Sequence, residues 1–130
     1  VPTSVMTFPE GTRFTQAKHH AQDGQYRHLL APKSGALAIS LDALGAKFRS
    51  LVDVTIVYPD GAPTLWQFLC GRCPQVVTHI RQLPIPPELR TGDYAGDPAF
   101  RSRFHRWVSA LWHEKDDLIS QALARNASRA

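Results

Sequence analysis

Apolar and β-branched residues gather in three short runs, with stretches of helical spacing and polar turns between them. Ser4 to Thr7 is rich in β-formers and predicts a buried strand, which Pro9 ends because proline has no N–H for a ladder. Gly35 to Leu44 predicts a helix: Leu37, Leu41 and Leu44 share a face, Ala38 and Ile39 lie beside them, and Gly45 is the stop. Leu51 to Tyr58 predicts a central strand buried on both faces, closed by the turn chemistry of Tyr58-Pro59-Asp60-Gly61. Thr64 to Leu69 predicts a short helix capped by Thr64, and Val76 to Leu83 a further strand nearer an edge. After the stiff Pro84-Ile85-Pro86-Pro87, a polar connection with Thr91, Gly92 and Gly96 leads to a long helix. Asp97 caps that helix, Pro98 fills its first turn, and it runs to about Arg125. Its packing stripe is Phe100, Phe104, Trp107, Leu111, Leu118 and Ala122, widened by Trp112, Ile119 and Leu123.

A strand, a helix over the sheet and another strand make a βαβ unit whose two strands run parallel. The expected class is therefore α/β: a partial, mostly parallel sheet of about three strands with about three helices, the last one long. Residues 1–130 form one domain or part of one. An edge strand left open in such a sheet invites pairing with a second copy. Thr15 to Arg27 is polar without apolar period and reads as a surface loop; Asn126 to Ala130 should fray.

The chemistry concentrates just after the first run, in Phe8-Pro9-Glu10-Gly11-Thr12-Arg13-Phe14. Gly11 lets the backbone approach a ligand with no Cβ in the way. Thr12 offers a hydroxyl, and Arg13 a planar fork of donors that fits a phosphate two bonds at a time. Loops at the carboxyl ends of strands are where open α/β sheets bind ligands. Further on, Lys33 places a charge at the amino end of the Gly35–Leu44 helix, whose free N–H groups also attract anions, and Ser34 is placed to cap it.

The unbroken block Phe8 to Arg13 resembles a signature of the glycerolipid acyltransferases, the lysophosphatidic-acid acyltransferase family. Lys33 and Gly35 fill the family's lysine and glycine at the mouth of the following helix. Val54 to Pro59 is similar to a later apolar block, most closely in the branch with lysocardiolipin acyltransferases and bacterial relatives. Asp53 stands where the family usually has proline. The family's His-x-x-x-x-Asp block is missing: five residues after His19, His20, His28, His79, His105 and His113 come Gly24, Gln25, Lys33, Pro84, Ala110 and Leu118. The resemblance implies the carboxyl-terminal part of the acyltransferase fold, with no catalytic residue of its own and no bound cofactor. It implies substrate binding by Glu10, Gly11, Thr12, Arg13 and Lys33. The acceptor would be a 1-acylglycerol-3-phosphate-like lysophospholipid and the donor an acyl-CoA or acyl-carrier-protein thioester. The parent enzyme would sit at the cytoplasmic face of the bacterial inner membrane, held there by its upstream region, while this piece is soluble and inactive alone.

Composition changes this picture little. Apolar residues are 43% and charged residues 20%, ordinary for a globular chain. The first residue is Val1, and the start almost inside a strand suggests a piece of a longer protein. No apolar run is long enough to span a bilayer. A formal charge of +4 suits anionic partners such as headgroups or coenzyme phosphates. No aromatic-and-basic motif points to nucleic acid. The His19-His20 pair lacks companions for a metal sphere, and Cys70-Gly71-Arg72-Cys73 lacks the second pair of a zinc site, so no metal and two reduced cysteines are expected. His113-Glu114 reads as surface. One reading makes Trp107, Trp112, Arg101, Arg103 and Arg106 a membrane-facing side of the long helix, but Trp is more often core or partner surface than lipid anchor. The alternative function is a non-catalytic anion-binding or protein-interaction module that uses that helix.

Overall fold

The computed structural model describes residues 2–73 and 75–129. Its elements are α1 (Gln16–Ala21), α2 (Gly35–Leu44), β1 (Ser50–Val57), α3 (Leu65–Leu69), β2 (Val77–Pro84), α4 (Pro87–Arg90) and α5 (Pro98–Ala127). The described residues are thus α/β, with five helices, the last one long.

Local chemistry sets α5 in place. Asp97 accepts from the backbone N–H groups of Ala99 and Phe100 at 3.0 and 3.3 Å, and Pro98 occupies a position that needs no N–H. The buried row is Phe100, Phe104, Val108, Trp112, Asp116 and Ile119. It leaves the expected stripe after Phe104, stepping by four to Val108. Trp107 and Leu111 form its border, and Trp107 rests edge-on against Phe104 at 5.6 Å. Residue hydrophobicity favoured Trp107 over Val108 and had no means of placing an aspartate in the row. Trp112 is buried and Trp107 half-buried, so both indoles belong to the packing, as the helical stripe predicts, and not to a membrane face.

The core joins Ala38 and Leu41 of α2, Ile85, Leu89 of α4, and Phe100, Phe104 and Val108 of α5. Ile85 enters it from the stiff prolyl segment, which stays extended through Pro86 (φ −55, ψ 129) and starts α4 at Pro87. Each fully buried side chain of this size contributes about 1.5–3 kcal/mol. Helix α2 has the bounds that its sequence predicts. Its ends work differently. Ser34 makes no side-chain cap, and Gly45 has φ −57, so no left-handed stop is needed. Gly45 is required for space, because a Cβ there would lie 2.2 Å from the Arg90 carbonyl oxygen.

The sheet corrects the expected topology. It has two strands, and β1 pairs antiparallel with β2, Asp53 opposite Arg81 and Val57 opposite Val77. No parallel βαβ pair and no third strand occur among the described residues. Val5, Met6 and Phe8 stand exposed in an irregular segment, because no described strand offers the ladder a partner. Nor is β1 buried on both faces. Thr55 and Val57 face the core, while Val52, Val54 and Ile56, with Ile80 of β2, remain uncovered by any described element. One layer of helices covers one face only.

Two further segments depart from expectation. The polar stretch from Thr15 contains α1, capped by the Thr15 hydroxyl on the Lys18 N–H, and ends in Tyr26, which is 2% exposed. Helix α3 follows its prediction closely: Thr64 and Gln67 form a reciprocal capping box.

Candidate functional site

The glycine turn is built by its own backbone. Gly11 N–H donates to the Phe8 carbonyl at 2.9 Å, and Gly11 adopts φ +66, a conformation that favours glycine. The Lys33 N–H donates to the Pro9 carbonyl at 2.7 Å, which brings the two expected binding segments together. The Lys33 side chain lies over the turn: a Cβ on Gly11 would stand 3.5 Å from its Cδ and 3.7 Å from its Nζ. From the other side Lys18 of α1 donates its ammonium to the Thr12 hydroxyl at 2.6 Å and to the Arg13 carbonyl at 3.4 Å. Arg13 is exposed, and its guanidinium has no hydrogen bond or ion pair among the described residues.

Three cations from three segments therefore surround one glycine turn. Lys18 was not among the expected site residues. Its signal was the Thr15 cap, which starts a helix and aims Lys18 back at the turn. Thr12 faces that lysine, so its hydroxyl is oriented by it.

The turn is anchored through the segment 26–33. Trp112 of α5 donates its indole N–H to the Leu30 carbonyl at 2.9 Å. Asp116, 4% exposed, accepts from the backbone N–H groups of Arg27 at 3.0 Å and His28 at 2.8 Å, and from the Arg27 guanidinium at 3.2 Å. His28 meets Ser120 at 2.9 Å. Burial pushes the Glu10 carboxyl above its ordinary value, with the Leu30 backbone N–H and the Lys115 charge drawing it partly back. Glu10 is thus turned toward the fold, while Arg13 is turned toward solvent.

Asp53, the departure from the resembled family, has a structural explanation. Its carboxylate accepts from Arg81 of β2 at 2.9 Å and from Lys115 of α5 at 2.8 Å, joining both strands to the long helix. Burial alone would raise its pKa, but the hydrogen bonds and charges of Lys115 and Arg81 outweigh that and hold it below the ordinary carboxylate value. Ser34 hydrogen-bonds the Tyr94 hydroxyl at 3.0 Å and His105 at 3.4 Å, which is why it does not cap α2.

Among the described residues no group of His, Cys, Asp and Glu could hold a metal ion. Cys70 and Cys73 are free thiols at the end of α3. No described helix is long and apolar enough to cross a membrane. Two hollows lined by residues between Tyr58 and Gln75 include no residue of the glycine turn.

No protein-family model matches the chain, and no solved structure does. Two curated proteins of Saccharomyces cerevisiae are similar to it. One is a 2-acyl-1-lysophosphatidylinositol acyltransferase, 29% identical over 92% of this chain and 33% of its own length. The other is an uncharacterised acyltransferase, 28% identical over 89% of this chain and 32% of its own length. The chain spans about a third of the length of the relatives it matches. Both relatives are acyltransferases, and the likeness runs over about nine tenths of this chain.

Proposed function

We propose that this chain is the acceptor-binding part of an acyltransferase acting on a lysophospholipid similar to 1-acylglycerol-3-phosphate. The observation that carries the reading is the exposed Arg13 guanidinium, without a partner among the described residues, beside a glycine turn flanked by Lys18 and Lys33. A phosphoester suits that arrangement. Arg13 offers it two parallel donors, and the two ammonium groups add point charges without competing for geometry.

In the parent enzyme, the acceptor hydroxyl attacks the carbonyl of an acyl-CoA or acyl-carrier-protein thioester. The C–S bond breaks, the ester C–O bond forms, and the hydroxyl proton passes to a base, which a histidine upstream of this chain would supply. This chain's part is to hold the phosphate so that the hydroxyl meets the thioester at a useful angle. Glu10 orders the turn, and Gly11 and Thr12 shape it. The test is a titration with glycerol 3-phosphate. Arg13→Ala should weaken binding by roughly 1.5–3 kcal/mol, the worth of a charged bidentate contact. Equal affinities would sink the reading and favour the interaction module.

A further inference from the structure

Of the three tryptophans in the chain, Trp112 is buried with its N–H bonded and Trp107 packs on Phe104. Trp66 is 73% exposed. It lies on α3 with Leu65, Phe68 and Leu69, which are 57–75% exposed, and α3 has no buried residue. Helical geometry puts these four side chains within one half of the helix circumference, with Gln67 opposite. Gln67 is the residue used by the capping box, so the helix holds its shape by local bonds and not by a core. The Arg72 N–H closes it on the Gln67 carbonyl at 2.8 Å, and Gly71 reverses the chain at φ +69.

The tip carries a cation. Arg72 stands exposed at the end of α3 with no ion pair among the described residues; Asp60 lines the same hollow as Arg72, and no further Asp or Glu follows in sequence before Glu88. A protein partner needs about 800 Å² a side, contributed by some 20–30 residues, which a five-residue helix does not offer. A bilayer interface asks for less: an apolar face reaching about 5–10 Å into the headgroup–acyl boundary, an amphipathic ring there, and a cation at its rim. We propose that α3 is a membrane-surface finger, in which Leu65, Trp66, Phe68 and Leu69 enter an anionic lipid interface and Arg72 stays among the headgroups. This stands on the exposure of α3 and not on the glycine turn, so a failed glycerol 3-phosphate titration leaves it intact.

The test is co-sedimentation of the 130-residue chain with vesicles of phosphatidylcholine and phosphatidylglycerol mixed about three to one. The chain should pellet with them, and Trp66→Ser with Phe68→Ser should lower its partition coefficient at least about tenfold. Ile39→Ser, which removes an exposed apolar side chain on α2, should leave it unchanged. Brominated phosphatidylcholine should quench part of the indole fluorescence of the unaltered chain, a readout that needs no variant. The idea is overturned if the chain stays in the supernatant, if the double variant pellets equally, or if no quenching occurs. Self-association that the double variant dissolves, without vesicle binding, overturns it too.

Discussion

The indole N–H of Trp112 reaches the Leu30 carbonyl at 2.9 Å, across 82 positions of sequence. Leu30 is 1% exposed and lies three residues before Lys33, whose own N–H holds Pro9. The long helix is thus linked to the glycine turn through a short chain of backbone contacts. A residue that never meets a ligand helps to set where Lys33 and Gly11 lie.

Trp112→Phe should lower stability by about 1–3 kcal/mol, because it leaves the Leu30 carbonyl buried without a donor. Glycerol 3-phosphate affinity should fall with it, although Trp112 lies outside the cation cluster. A thermal melt and the same titration check both halves. An unchanged melting temperature would remove Trp112 from its anchoring role.

Asp53→Ala should cost about 2–4 kcal/mol, short of the full price of a deeply buried pair because Arg81 keeps Glu114. The Arg81 and Lys115 side chains are 18% and 13% exposed, so neither is freely hydrated once the carboxylate is gone. Lys115→Met in the same chain should recover part of the loss. Urea denaturation of the two single variants and the pair measures that coupling, and additive losses would mean the three charges act independently.

Much of this fold is legible locally. Gly35 to Leu44, the Thr64 cap and the Asp97-Pro98 start are short-range signals, and the structure keeps them. His113 and Glu114 are exposed, as their sequence reads. What escaped was set by distant partners. Ser4 to Thr7 has the composition of a strand, but a strand exists only with a neighbour. The direction of β1 depended on β2, across a connection whose α3 gives no hint of a return. Asp116 takes its role from backbone groups 88 and 89 positions away, and Lys18 takes its role from a turn just before α1 whose shape depends on Lys33. The sequence singles out Arg13 and Lys33 because a local motif carries them; nothing local points to the anchor beneath them.

Gly11→Ala tests the turn without touching a charge. The added methyl finds ordinary contact with Lys33 at 3.5 Å, so crowding is not the obstacle. The obstacle is φ +66, which costs an L-residue about 1–2 kcal/mol. The turn should relax away from Lys33, and affinity for glycerol 3-phosphate should drop severalfold while α5 keeps its helicity. Circular dichroism alongside the titration separates the two; full affinity in the alanine variant would show that the turn's conformation does not matter to binding.

Acid should act mainly through Asp53 and Asp116. In both, burial works to raise the pKa and is outweighed: by Lys115 and Arg81 at Asp53, and by the Arg27 and His28 backbone N–H groups and the Arg27 guanidinium at Asp116. Both carboxyls are held below their ordinary 3.8, so between the folded and unfolded values the unfolded chain binds more protons. Their contribution is complete above that ordinary value and is lost as pH falls through the depressed ones. Glu10 works in the opposite sense. Raised above 4.5, it contributes below that value and loses its contribution as pH rises through the folded pKa. Urea midpoints should therefore fall steeply below about pH 4, with a shallower decline on the other side that Glu10→Gln removes. Asp53→Asn should flatten the acid limb in part, because Asp116 still titrates. An acid limb as steep in Asp53→Asn as in the parent would mean that the strand-to-helix carboxylate has no depressed pKa, and that its two cations are held by something other than its charge.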